Sequence, residues 1–184
     1  MLRGPVLPDL RAGGGFTVVL LLSGRRDDVQ PGQVILSGLQ EVTAALDEEA
    51  TDETITKGFQ VAVAADYVLS MTLTNGFGVS MVWQTTLAEP MTLWDGQRHT
   101  VSFIADGGPK VMSAVVDGLL CDGGASHPQG WTFIPRELGE IGGASTRLDR
   151  SFAGTVHGFF RYDRALLTSE VIGIHRAEAA EESP

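Results

Sequence analysis

"FAGTVHGFFRYDRALLTSEV", Phe152 to Val171, begins as a β-strand and ends as something that a strand cannot be. A run rich in Phe, Gly and Thr enters Tyr162-Asp163-Arg164-Ala165-Leu166, and then Thr168-Ser169-Glu170 with Val171 and Ile172 behind them. Thr168 or Ser169 can cap a helix, Glu170 puts negative charge in its first turn, and Val171, Ile172 and Ile174 give that turn an apolar side. The stretch therefore predicts a closing strand followed by a short helical segment.

Most of the preceding chain repeats its apolar residues every two positions, the period of a half-buried strand. Phe59, Val61 and Val63 alternate with Gln60, Ala62 and Ala64; Leu69, Met71 and Leu73 alternate with Ser70 and Thr72; Val79, Met81 and Trp83 alternate with Ser80 and Val82. Asn75-Gly76 suits a tight hairpin turn between the last two runs. His99, Val101, Phe103 and Ala105 share one face of a further strand, with turns at Asp106-Gly107-Gly108 and Asp117-Gly118. The expected fold is all-β, a two-sheet antiparallel β-sandwich of jelly-roll type with a short C-terminal helical segment.

Glu41 to Thr56 departs from the pattern through its acidic run Asp47-Glu48-Glu49 and Asp52-Glu53, and reads as a surface loop or one helical turn. Gly4, Pro5, Pro8 and Gly13-Gly14-Gly15 punctuate a lead-in over residues 1–14, the sandwich occupies 15–176, and the small acidic stretch 177–184 reads as a fraying tail. Such a lead-in is expected of a module carried in a longer protein.

The quoted stretch resembles the closing signature of the concanavalin A-like lectin/glucanase superfamily, in its laminin-G-like jelly-roll branch. That signature is F-x-G-x-I, a short strand, then Y-[ND]-R-A-L and an acidic residue; Phe152, Gly154, Val156, Tyr162, Asp163, Arg164, Ala165, Leu166 and Glu170 match it. Asp95-Gly96-Gln97-Arg98-His99 and Val115-Val116-Asp117-Gly118 resemble a second family pattern, although Arg98 stands where the family has Trp; Trp94 lies close enough to supply part of that packing. The resemblance implies a closing strand that completes a sheet and a helical segment against the sandwich. It also implies a scaffold used for sugar binding, for protein interaction and for glycan hydrolysis.

Composition narrows those classes. A net charge of −10 repels phosphate backbones, so nucleic acid is not an expected partner. The apolar run Phe16 to Leu22 is too short to span a bilayer and lacks signal-peptide flanks, so no membrane insertion is expected. The one cysteine, Cys121, excludes an internal disulfide and reads as an inert thiol. The resemblance implies that a glucanase of this superfamily would carry carboxylates two apart on one strand, and no such cluster is present. An enzyme is therefore not expected. A structural Ca²⁺ at the acidic loop is an open alternative to simple solvation of that charge.

Sugar recognition pairs an aromatic face with planar polar side chains. Trp131, which follows His127-Pro128-Gln129-Gly130 in an expected loop, is the leading candidate. His157 and Arg161 fall with Thr155 on the polar alternation of the closing strand and would line a groove, unless a bulge at Gly158 switches the faces. Trp83 is a further candidate, with core packing beside Val79 and Met81 as its competing role. His99 reads as a satisfied core histidine. The expected function is a non-catalytic, lectin-like carbohydrate-binding module, an accessory domain of a larger secreted bacterial carbohydrate-active enzyme and so extracellular or at the cell surface. A structural or protein-interaction domain beside a catalytic neighbour is the alternative, and a stand-alone glycoside hydrolase comes third.

Overall fold

The computed structural model describes residue 10 and residues 13–44, 53–86, 93–121, 130–139, 141–142 and 146–181. Within them two antiparallel sheets face each other, as the period-two pattern predicts. Sheet A holds β1 (Gly15–Arg25), β7 (Asp95–Asp106), β8 (Val111–Val116), β9 (Leu119–Leu120), β10 (Trp131–Phe133) and β12 (Thr155–Tyr162). Its order is β10-β8-β7-β1-β12, with β9 on β8. Sheet B holds β2 (Val34–Ser37), β3 (Gln40–Ala44), β4 (Glu53–Val63), β5 (Leu69–Thr74), β6 (Ser80–Gln84) and β11 (Arg147–Leu148). It runs β11-β2-β4-β5-β6, with β3 on the N-terminal part of β4.

The core lies between the sheets. Phe16, Val18, Leu20 and Leu22 of β1 and Val101, Phe103 and Ala105 of β7 meet Phe59 and Val61 of β4 and Met71 and Leu73 of β5. Phe16 and Phe59 cross the gap at a ring-centroid distance of 5.4 Å. Most strands bury alternate residues, but Gly15 to Leu22 of β1 are buried without a break. Covering both faces of a strand turns an alternating pattern into a continuous apolar run.

What covers the outer face of sheet A is the segment after β12. Thr17 Oγ1 donates to the carbonyl of Arg164 at 3.1 Å and accepts the N–H of Leu166 at 2.9 Å, which pins the chain as it leaves the sheet. Helix α1 (Thr168–Glu181) then lays Val171, Ile172 and Ile174 with Leu166 against Ile104 and Val115. Thr168 and Ser169 are its first residues, and the capping role falls to Glu170. Its carboxylate accepts the N–H of Leu167 at 2.8 Å and pairs through both oxygens with Arg164, which holds it at a pKa of about 2. The helix is longer than the expected short segment and continues through residues 177–181.

Glu41–Ala44 and Glu53–Thr56 belong to paired strands, where a loop or helical turn was expected. Val42, Thr43, Thr54, Ile55 and Thr56 are β-formers, and pairing with a neighbour outweighs the acidic residues beside them. The acids at 47–49 and 52 lie outside the described residues. The β5–β6 connection is also longer than a two-residue turn. Asn75 Oδ1 accepts the N–H groups of Phe77 and Val79, and the positive φ values fall on Gly76 and Gly78.

β4 changes partner midway, from β3 over residues 53–57 to β2 over residues 60–62. Gly58 sits at the change with φ of +127°, and a Cβ there would run into the carbonyl of Gly38. Gly58→Ala therefore adds a clash to a backbone penalty. Gly32 has φ of +89° but open space around its Cα, so Gly32→Ala carries the backbone penalty alone. Urea denaturation should show Gly58→Ala less stable than Gly32→Ala by about 1–3 kcal/mol; equal midpoints for the two would remove the crowding argument.

Candidate functional site

The structure separates the sequence-derived candidates. Trp83 lies on β6 at 3% exposure within the core cluster, so it has no face to present to a ligand. Trp131 is on strand β10 and not in a loop. It registers with Ser113 and stacks edge to face with Phe133, at 4.9 Å between centroids and 79° between planes. Trp131 is half-buried and Phe133 is 66% exposed. Phe133 was missed at the sequence level, although Trp131-Thr132-Phe133 carries the period-two signal that puts both rings on one face.

His157 and Arg161 do not share a groove. The β1–β12 register slips between Leu21↔Gly158 and Leu22↔Val156, which leaves His157 as the extra residue of a bulge. Beyond it Phe159 and Arg161 fall opposite core-facing Leu20 and Val18, whereas His157 stays exposed and meets Ser23 Oγ at 2.8 Å. The Arg161 side chain is 7% exposed and donates to Asp163 Oδ1 at 2.9 Å and Thr146 Oγ1 at 3.4 Å. It acts as a brace at the sheet edge.

On sheet B the register assembles something else. Arg147 of β11 pairs with Ser37 of β2, Ser37 with Gln60 of β4, and Gln60 with Thr72 of β5. Paired residues share a face, so these four make a polar row across the sheet. It lies on the outer face, since Val61 and Met71 between them point to the core. A groove of about 470 Å³ opens over the Arg147-Ser37-Gln60 part of the row, floored by Ser37 and Gln60 and walled by Glu41 and Thr56 on one side and Arg147 and Asp149 on the other. The partner change at Gly58 brings β3 up as the first wall.

Asp149 is fixed by the chain around it. Its Oδ1 accepts the N–H of Ser151 at 2.8 Å, and its own N–H bonds the carbonyl of Ile35. The Ser151 N–H first, then the Ser151 hydroxyl, hold its carboxyl below the usual range, with a smaller contribution from Arg147. The groove thus combines a lasting carboxylate acceptor, a guanidinium, an amide and hydroxyls. Apart from Glu41 and Thr56, which bound the acidic segment, none of its residues was singled out from the sequence, because positions 37, 60 and 147 become neighbours only through strand register.

His99 is the satisfied, buried histidine that the sequence suggested. Its Nδ1 meets Asp117 Oδ2 at 2.7 Å and its Nε2 meets Asp95 Oδ1 at 3.0 Å. Two carboxylates on two ring nitrogens call for two N–H donors, which only the imidazolium has. The bond to Asp117 accordingly raises the His99 pKa, against burial and with help from Asp95. Beside it Thr100 Oγ1 meets His175 of α1 at 3.3 Å, and Arg98 pairs with Glu178 at 2.6 Å, so this end of the sandwich is fastened to the helix. Cys121 is buried. Trp94 packs on Phe152 at 5.9 Å between ring centroids. Among the described residues no three His, Cys, Asp or Glu side chains converge as metal ligands would.

No protein-family model matches the chain, and no curated protein sequence matches it. Solved structures do. A native heptameric SAP-like pentraxin from Limulus polyphemus matches with a TM-score of 0.54 at 16% identity, over 94% of this chain and 73% of that one. The CBM40 of the Ruminococcus gnavus IT-sialidase, bound to alpha2,3 sialyllactose, matches with a TM-score of 0.54 at 14% identity, over 95% and 94%. The receptor-binding domain of the botulinum neurotoxin C/D mosaic serotype matches with a TM-score of 0.58 at 10% identity; this chain spans 37% of its length. At these identities the likeness is one of fold.

The His99 arrangement gives stability a pH dependence of known sign. A folded-state pKa raised above the ordinary 6.5 stabilises fully below that value, and the contribution disappears as pH rises through the folded value. The difference in unfolding free energy between the parent and His99→Gln should be larger at pH 6 than at pH 9 in urea titrations. A gap that is constant or widens towards pH 9 would contradict a charged His99.

Proposed function

We propose that the chain is a non-catalytic, lectin-like carbohydrate-binding module that takes a glycan in the sheet B groove. The observation that carries this reading is the polar row Arg147-Ser37-Gln60 beneath an open groove, on a sheet face that no helix covers among the described residues. Planar amide and guanidinium groups with adjacent hydroxyls match the alternating donors and acceptors of a sugar. The resemblance of Phe152–Glu170 to the laminin-G-like branch of the concanavalin A-like superfamily supports it, as does the fold shared with the sialyllactose-bound CBM40. An accessory place in a larger, secreted bacterial carbohydrate-active protein, beside a catalytic domain, follows from the same reading. No helix among the described residues is long and apolar enough to cross a membrane.

Trp131 and Phe133 support a second contact surface, because an edge strand that leaves a Phe ring 66% exposed beside a Trp offers a stacking platform. It lies on the other sheet. A protein-interaction role would use the same pair without the groove. Asp149 does not suit the general-acid role that a glycosidase needs, because its carboxyl is pushed away from the protonated form.

Calorimetric titration with a broad panel of oligosaccharides should give affinities near the millimolar range, about −4 to −6 kcal/mol, since a shallow groove buries little area. Gln60→Ala and Arg147→Ala should each weaken binding about tenfold without lowering the melting temperature. If Trp131→Ala or Phe133→Ala abolishes binding while the groove variants bind as the parent does, the site is the aromatic edge. No heat with any glycan would leave the interaction-module reading, and reducing sugar released by the chain would make it an enzyme.

A further inference from the structure

Resting on the glycan-binding reading of the sheet B groove, we infer that the groove selects neutral, hydroxyl-rich glycan chains and discriminates against sugars that carry a carboxylate. Among the described residues the charged side chains that line it are Arg147, Glu41 and Asp149, whose formal charges sum to −1 at neutral pH. Arg147 and Asp149 stand on the same wall, two residues apart, and Arg147 is among the groups that lower the Asp149 pKa, so a carboxylate shares the wall with the cation an acidic sugar would seek. An incoming carboxylate would have to lose its hydration in a groove whose described charges sum to −1, on a chain of net charge −10, and would share the Arg147 guanidinium with Asp149 on the same wall.

Neutral hydroxyls meet the opposite situation. Carboxylates accept O–H donors in short, charge-assisted bonds, and Arg147 and Gln60 donate to ring and hydroxyl oxygens in return. Ser37 and Thr56 can serve in both directions. No anion is needed to complete this set. The specificity would therefore differ from that of the sialyllactose-bound CBM40 that shares the fold, a difference that grafting of sites onto a common scaffold allows.

The test uses the whole chain and matched probes: lactose against 3′-sialyllactose, xylohexaose against its glucuronic-acid-substituted counterpart, and cellohexaose, mannohexaose and laminarihexaose, each followed by calorimetry at low and at physiological salt. The neutral member of each pair that binds should bind at least threefold tighter than the acidic one, and the gap should shrink as salt screens the repulsion. Glu41→Gln, with an unchanged melting temperature, should narrow the gap and weaken the neutral ligand several-fold. Tighter binding of 3′-sialyllactose or the glucuronic acid chain, lost in Arg147→Ala, would overturn the selectivity and leave glycan binding standing. Silence from every probe would overturn both.

Discussion

Two hydrogen bonds at one hydroxyl organise the molecule. Thr17 sits near the start of the strand that lies between β7 and β12, buried on both faces, and its Oγ1 bonds both sides of the turn by which β12 becomes α1. Any other trajectory would leave Thr17 a buried polar group on an apolar strand, at a cost of about 1–3 kcal/mol. Because the turn is held there, Leu166 and Val171 come down on Ile104 and Val115 and cover that part of the outer face of sheet A. The unbroken apolar run of β1 and the abrupt change of character after Tyr162 are two halves of one constraint.

Covering one sheet leaves the other available. The helix occupies sheet A, while the outer face of sheet B carries Ser37, Gln60, Thr72, Ser70 and Gln84, and no helix lies over it among the described residues. A solvated face imposes no packing requirement, so its side chains can be polar at little cost to the core beneath. Gly38 and Gly58 then shape that face, by letting β4 exchange β3 for β2 without a side chain at the crossing. The groove is thus a consequence of a backbone requirement, and its polar character a consequence of where the helix went.

Much of the sandwich was legible, for a local reason. Period two at Phe59–Val63, Leu69–Leu73 and Met81–Trp83 reports burial of alternate residues and needs no knowledge of partners. The motif F-x-G also has a local cause: a Cβ on Gly154 would strike the Phe152 ring, which itself packs on Trp94. The site was less legible, because face assignment depends on register. One extra residue at His157 moves Arg161 to the core side of the sheet edge, and only strand pairing decides between a bulged and a regular β12. Trp131 looked like a loop residue because Pro and Gly precede it, although the alternation of Trp131-Thr132-Phe133 was already that of a strand. Arg147, Ser37 and Gln60 carry no mutual signal at all in one dimension.

That division between what is local and what is relational also bears on the neighbours. Chains only 10–16% identical to this one keep the sandwich, since the fold asks for apolar residues on inner faces, small residues at crossings and a covered β1, all of which many sequences satisfy. Ligand choice asks for particular side chains at particular registers on an outer face that the core does not constrain. The two requirements fall on different residues, so one can drift while the other holds. A shared fold therefore settles the scaffold alone, and what the sheet B groove accepts is a question for its own side chains, Arg147, Glu41 and Asp149 among them.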